Sequence, residues 1–172
     1  MALDLQHFTT FALACLRPRR VLVWRTAARG CFSLLMETPV TATSPEQNKA
    51  LVLKAFETLF NKRDYVAAER LWSETYIQHS SHIEPGRDGL FNLVRSLPDT
   101  SRYENALILA QGDYVMLHGR FSGNGQPRAL IAADIVRMEG GRLAEHWDVL
   151  QDEASAAESK SGLPMFGDRF PS

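Results

Sequence analysis

The chain has 172 residues, a mass of 19.3 kDa, 45% hydrophobic and 23% charged residues, and a net charge of −1 with pI ≈ 6.5. That is one domain's worth of sequence, long enough to bury roughly 70% of its unfolded surface without disulfides or metal. The near-neutral charge argues against a nucleic-acid groove or an anionic membrane surface as partner, and no apolar run is long enough for a transmembrane helix.

Charge is unevenly spread. Residues 1–35 carry Arg17, Arg19, Arg20, Arg25 and Arg29 against Asp4 alone, and hold both cysteines, Cys15 and Cys31. The apolar stretch Phe8–Leu16 precedes the arginines, the reverse of the order in an export signal. An organellar transit peptide is rich in arginine and poor in acid, as here, but also rich in hydroxyl residues, which are few. Residues 1–37 therefore read as an N-terminal extension, disordered or upstream of a true start at Met36. Two cysteines and no export pattern suit a reducing compartment, so the expectation is cytoplasmic.

The organised part begins at residue 44. Ser44-Pro45-Glu46-Gln47 combines an N-cap, a proline at the first helical position and a capping-box glutamine. Leu51, Val52, Ala55, Phe56, Leu59 and Phe60 follow at helical spacing. Asn61-Lys62-Arg63-Asp64 interrupts that stripe, and Asp64 caps a short second helix expected to run through Trp72. A polar stretch leads to a third helix opened by Gly86-Arg87-Asp88, with Leu90, Phe91, Val94 and Leu97 inward and Pro98 as its stop.

Beyond residue 100 the period changes to two. Residues 102–110 and 114–122 form a predicted hairpin across Gln111-Gly112-Asp113. That register sets Ala110 opposite Tyr114 and Glu104 opposite Arg120, with Leu107 and Leu109 on the face of Val115 and Leu117. After the Asn124-Gly125 turn signal, residues 128–138 and 142–151 pair across Glu139-Gly140-Gly141, which sets Asp134 opposite His146 and Ala132 opposite Asp148. A two-residue loop would set Asp134 opposite Trp147 instead. Both faces of this hairpin are largely apolar: Leu130, Ala132, Val136 and Leu150 on one, Ile131, Ala133, Ile135, Leu143, Trp147 and Val149 on the other. Helices covering one face and a second copy covering the other would account for this, giving a homodimer through the sheet. Helices followed by an antiparallel sheet make the class α+β, with the domain over residues 44–152 and a tail over 153–172 whose apolar end, Leu163–Phe166, docks back.

The chemistry concentrates on Asp134, His146 and Asp148. A carboxylate beside an imidazole in a mostly apolar cavity can serve as a general base, because each group shifts the other's proton affinity. The competing reading is a structural Asp–His pair. His79 and His82, spaced H-x-x-H, offer a weak metal signal with no third ligand fixed, and His118 falls on the polar face with Glu104 and Arg120. No nucleophile elbow, phosphate-binding loop or dinucleotide fingerprint is present.

Tyr76-Ile-Gln-His-Ser-Ser-His82 with Gly86-Arg-Asp-Gly-Leu90, the run Ala133–Val149 containing Glu145-His-Trp-Asp148, and Ser161-Gly-Leu-Pro-Met-Phe166 resemble the SnoaL-like polyketide cyclase family. The resemblance covers residues 46–167, with Ser80-Ser81 standing where that family commonly has Asn-Pro. It implies the nuclear transport factor 2-like fold: three helices on a curved antiparallel sheet, a cone with an interior pocket, often a sheet-to-sheet homodimer. It also implies aldol-type acid–base chemistry without metal or cofactor. Carried over, Asp134, His146 and Asp148 are catalytic, and His79 (at the pocket mouth), His82, Trp147 and Tyr76 bind substrate. The leading expectation is a cofactor-free acid–base enzyme acting on a small hydrophobic carbonyl compound. The alternatives are a non-catalytic small-molecule-binding homodimer and a metal-dependent hydrolase built on His79 and His82.

Overall fold

The computed structural model describes residues 43–170. The extension over residues 1–37, with its expected start and both cysteines, lies outside them. Helix α1, Pro45–Phe56, begins with the expected capping box: the Ser44 hydroxyl accepts from Gln47 N at 3.2 Å and Gln47 Oε1 accepts from Ser44 N at 2.8 Å. The helix then widens into a π-helical turn, Glu57–Asn61, where Lys62 N reaches back to Glu57 O at 3.0 Å. Asn61 explains where the helix stops. Its side chain takes Tyr103 N at 2.8 Å and donates to Tyr103 O at 3.0 Å, binding the helix end to strand backbone.

Asp64 caps α2, Tyr65–Glu69, through Ala67 N at 3.0 Å. The second helix is shorter than expected, because Trp72 opens a strand, β1 (Trp72–Gln78). Trp72 and Tyr76 are both buried there. A spacing of four places two residues on one face of a helix or of a strand alike, so periodicity did not reveal this element. Helix α3, Gly86–Ser96, follows with Leu90, Phe91 and Val94 buried as expected. Four further strands complete the fold: β2 (Arg102–Gln111), β3 (Tyr114–Ser122), β4 (Leu130–Glu139) and β5 (Arg142–Asp152). The sheet order is β1-β5-β4-β3-β2, antiparallel except for β1 beside β5. The class is α+β.

Both hairpins turn more tightly than expected, and an irregularity then restores the expected register in β2–β3 but moves β4–β5 two residues away from it. In β2–β3, Gln111 faces Tyr114 and Ala110 faces Val115, until a shift between Asn105 and Leu107 returns Glu104 to Arg120. The Glu104–Arg120 ion pair forms at 3.0 Å, but Leu107 and Leu109 lie opposite His118 and Met116 on the outer face, not beside Val115 and Leu117. In β4–β5, Glu139 faces Arg142 across Gly140-Gly141, and a shift beside Ala144 then sets Asp134 opposite Asp148 and Val136 opposite His146. Asp134 therefore faces neither His146 nor Trp147 directly. Leu143 moves to the inner side with Met138, where both are buried.

The inner face of the sheet carries Val115, Leu117, Val136 and Met138 against Val52, Phe56, Leu59, Leu90, Phe91 and Val94 from the helices. The outer face carries a four-strand apolar row, Leu109–Met116–Ile135–Trp147. In the tail, Met165 Sδ accepts from Ala154 N at 3.3 Å and the Phe166 ring lies 5.7 Å from His118. Among the described residues, no helix is long and apolar enough to cross a membrane.

Gly119 decides one packing contact. A Cβ there would sit 2.5 Å from Tyr103 Cε2, and Tyr103 is locked among Phe56, Phe60 and Phe121. Glycine-to-alanine changes in a strand ordinarily stabilise; here overpacking wins. Gly119→Ala is expected to lose about 1–3 kcal/mol, read as a lower urea midpoint at unchanged slope.

Candidate active site

A cavity of about 500 Å³ opens between the inner face of the sheet and the helices. Most of its wall is apolar, including Phe56, Phe60, Trp72, Leu90, Val94 and Leu150. Asp134, His146 and Asp148 line it together. The loop-plus-bulge geometry of β4–β5 accounts for this: beyond the bulge the register differs from the expected one by two residues, and an even shift keeps these three side chains on one face.

Asp134 is only 2% exposed, and its row across the sheet is Ile108–Leu117–Asp134–Asp148. Its Oδ1 lies 3.1 Å from His146 Nε2, while Oδ2 is buried and has no hydrogen-bond partner among the described residues. Burial pushes the Asp134 carboxyl up from the ordinary carboxylate range, the hydrogen bond and charge of His146 pull it partly back, and Asp148 pushes it up again.

Gln78 holds the other side of the imidazole. The parallel register of β1 sets Gln78 beside His146, and Oε1 lies 2.9 Å from His146 Nδ1. The same oxygen accepts from Ser80 N at 3.0 Å. A backbone N–H only donates, so the atom between them is the amide oxygen, and Nδ1 must carry the proton. A neutral His146 then has its lone pair on Nε2, facing Asp134. One further proton serves both Nε2 and Oδ1, and Oδ2 stays bare. Sequence reasoning missed Gln78, because its role depends on a parallel strand pairing that no local pattern announces.

Tyr76 and His82 also line the cavity. Burial, aided by the two carboxylates, pushes the Tyr76 hydroxyl far above the ordinary tyrosine value, so it remains an O–H donor. His79 and Trp147, expected at the pocket, are elsewhere. They stack at 4.8 Å between ring centroids and 2° between planes, with His79 Nε2 2.8 Å from Glu145 Oε1. Trp147 alternates with His146 and Asp148 along β5 and faces outward, which is why neither stacked ring is part of the cavity wall. The H-x-x-H pair is thus divided, and among the described residues no cluster of three or more His, Cys, Asp or Glu is arranged for a metal ion.

A family model for the SnoaL-like domain matches residues 52–146, more than half of the chain. The chain belongs to the SnoaL-like family. Among curated proteins no sequence matches it significantly. Solved structures do. A candidate ketosteroid isomerase from Kribbella flavida is 20% identical, with TM-score 0.58 over 75% of this chain and 98% of that one. A candidate polyketide cyclase from Bacillus cereus is 18% identical, with TM-score 0.53 over 61% and 74%. An LEH-like epoxide hydrolase from M. tuberculosis is 12% identical, with TM-score 0.51 over 69% and 90%. At these identities the likeness is one of fold: this SnoaL-like domain has the nuclear transport factor 2-like cone, a curved sheet closed by helices around a cavity. The fold hosts several chemistries, so activity has to be argued from the site.

The buried carboxyl gives a sign to the pH dependence of stability. Asp134 has a higher proton affinity folded than unfolded, so the folded state binds more protons. Its contribution is fully present below the unfolded value and is lost as pH rises through the folded one. Asp134→Asn supplies an amide N–H to Nε2 without that loss. The variant's stability relative to wild type should therefore rise as pH increases above the ordinary carboxylate range, measured by urea midpoints. Parallel profiles would show that Asp134 does not titrate in this way.

Proposed function

We propose that the SnoaL-like domain is an acid–base enzyme that enolises a small, largely apolar carbonyl compound without a cofactor. One observation carries the reading: a carboxylate in an apolar cavity, with one oxygen held by an oriented imidazole and the other unpartnered. Asp134 Oδ2 removes the proton α to the carbonyl; the C–H electron pair moves into the enolate. His146, its Nδ1–H fixed on Gln78, holds the shared proton against Oδ1 and balances the charge of the ionised carboxylate. Tyr76 donates its hydroxyl to the enolate oxygen. Asp148, directly across the strands, raises Asp134's appetite for the proton. Return of the proton to another carbon gives isomerisation, and attack of the enolate on a second carbonyl gives aldol ring closure. His82 contributes to the wall around the substrate.

Exchange of α-hydrogen for deuterium, followed by NMR over a panel of apolar aliphatic and cyclic ketones, tests the step directly. Wild type should exchange; Asp134→Asn should lose about 10²- to 10⁴-fold while remaining folded. Gln78→Leu, which releases the imidazole tautomer, should lose a smaller factor. If wild type exchanges none of the panel, the cavity is better read as that of a non-catalytic small-molecule carrier.

The outer face supports a homodimer as part of the same proposal. Leu107, Leu109, Met116 and Val149 are 47–71% exposed on one side of the sheet, an apolar surface that a second copy would cover. Sedimentation velocity should report a dimer for wild type and a monomer for Leu109→Glu combined with Met116→Lys; a monomeric wild type would refute it.

A further inference from the structure

The cavity has a second polar end. Along β4, Asp134 is four residues from Leu130, which faces Phe121 on β3 and Asp152 on β5. Four extended residues span about 13 Å. At that distance the wall changes character: Arg63, Ser101, Arg102, Ser122, Asn124 and Gln126 all line it, and Arg102 faces Ser122 across β2–β3. Leu150, opposite Ala132, lies between the two ends, and Phe121 and Leu130 border the second.

These groups are mostly donors. Arg63 adopts φ 54°, a left-handed backbone uncommon for a side chain of its size. Its guanidinium is tied down by Asp99 Oδ1 at 3.1 Å, Leu97 O at 3.0 Å and Pro98 O, yet among the described residues its buried Nε has no partner. The Arg102 Nη1 bonds reach only the backbone oxygens of Asp99 and Ser101, and among the described residues no carboxylate pairs with it. Asn124 uses its oxygen on Gln126 N, which leaves its amide hydrogens. The two acids nearby are turned to water: Asp99 is 100% exposed at its side chain, and Asp152 is exposed at the rim. Solvent screens them and also reaches the exposed Arg102, whereas the Arg63 side chain, 18% exposed, keeps its charge largely out of water.

We infer that the ligand of this cavity is two-headed: a ketone at the Asp134–His146 end and a carboxylate, about 13 Å away, at the Arg63–Arg102 end. An apolar chain joins the two heads across the waist. The inference deepens the proposed acid–base reading by naming the substrate class, an oxo acid. A charge-assisted bond from a fixed guanidinium would set the depth and direction of the chain, and so select which carbon meets Asp134.

Binding measures this without any proton transfer, so its outcome is separate from that of the exchange experiment. The probes are 9-oxodecanoate, its methyl ester and 2-decanone, titrated into the full chain by calorimetry at low ionic strength. The carboxylate should bind about tenfold tighter than either neutral ketone. Arg102→Gln and Arg63→Gln should each remove most of that preference while leaving 2-decanone unchanged. Arg63 also tethers the segment after α3, so Arg102→Gln and the wild-type comparison decide the matter if Arg63→Gln does not fold. Equal affinity for acid and ketone, ester binding as tight as the acid, no binding of any probe, or an Arg102→Gln variant indistinguishable from wild type would each overturn the inference.

Discussion

A carboxylate placed on the inner face of a sheet, among Leu117, Ala132 and Val136, has lost its water and must find compensation inside the protein. Asp134 finds half of it. Oδ1 has His146, and His146 in turn has Gln78, so a chain of three side chains runs from the cavity wall to the β1 edge of the sheet. Oδ2 has nothing. That asymmetry is the observation on which the proposed acid–base reading rests.

Much of the architecture serves that chain. The parallel pairing of β1 with β5 brings Gln78 to His146, and the backbone bond from His79 N to His146 O at 3.0 Å fixes the crossing. The irregularity beside Ala144 lets a tight Gly140-Gly141 turn coexist with Asp134, His146 and Asp148 on one side. A single slip without that compensation would have delivered Trp147 to the cavity and sent the histidine outside. The π-helical turn and Asn61 lock the end of α1 to β2, and the next residues bring Arg63 into the cavity wall.

Local signals in the sequence were read accurately where they act locally. The capping box at Ser44, the break at Asn61–Asp64, the stop at Pro98 and the change of period near residue 100 all describe neighbours in the chain. The strand at Trp72–Gln78 was not legible, because its two buried aromatics recur at a spacing shared by helix and strand. The β2–β3 register was misjudged near its turn and the β4–β5 register along its length, because bulges decide the pairing and sequence gives them no distinct mark. His79 and Trp147 were assigned to the pocket through resemblance alone; alternation along β5 carries Trp147 to the outer face, and His79 follows it by stacking.

The sequence by itself determined the class of the fold, the family, and the set of Asp134, His146 and Asp148, because an even-numbered spacing on paired strands survives an even error in register. Only the tertiary structure decided how those groups are used. Which oxygen of Asp134 is engaged, which nitrogen of His146 carries the proton, and which arginines share the cavity all depend on contacts between residues far apart in the chain. Hydrogen bonds at such separations arise from strand order and burial, and neither is written in the pattern of nearest neighbours.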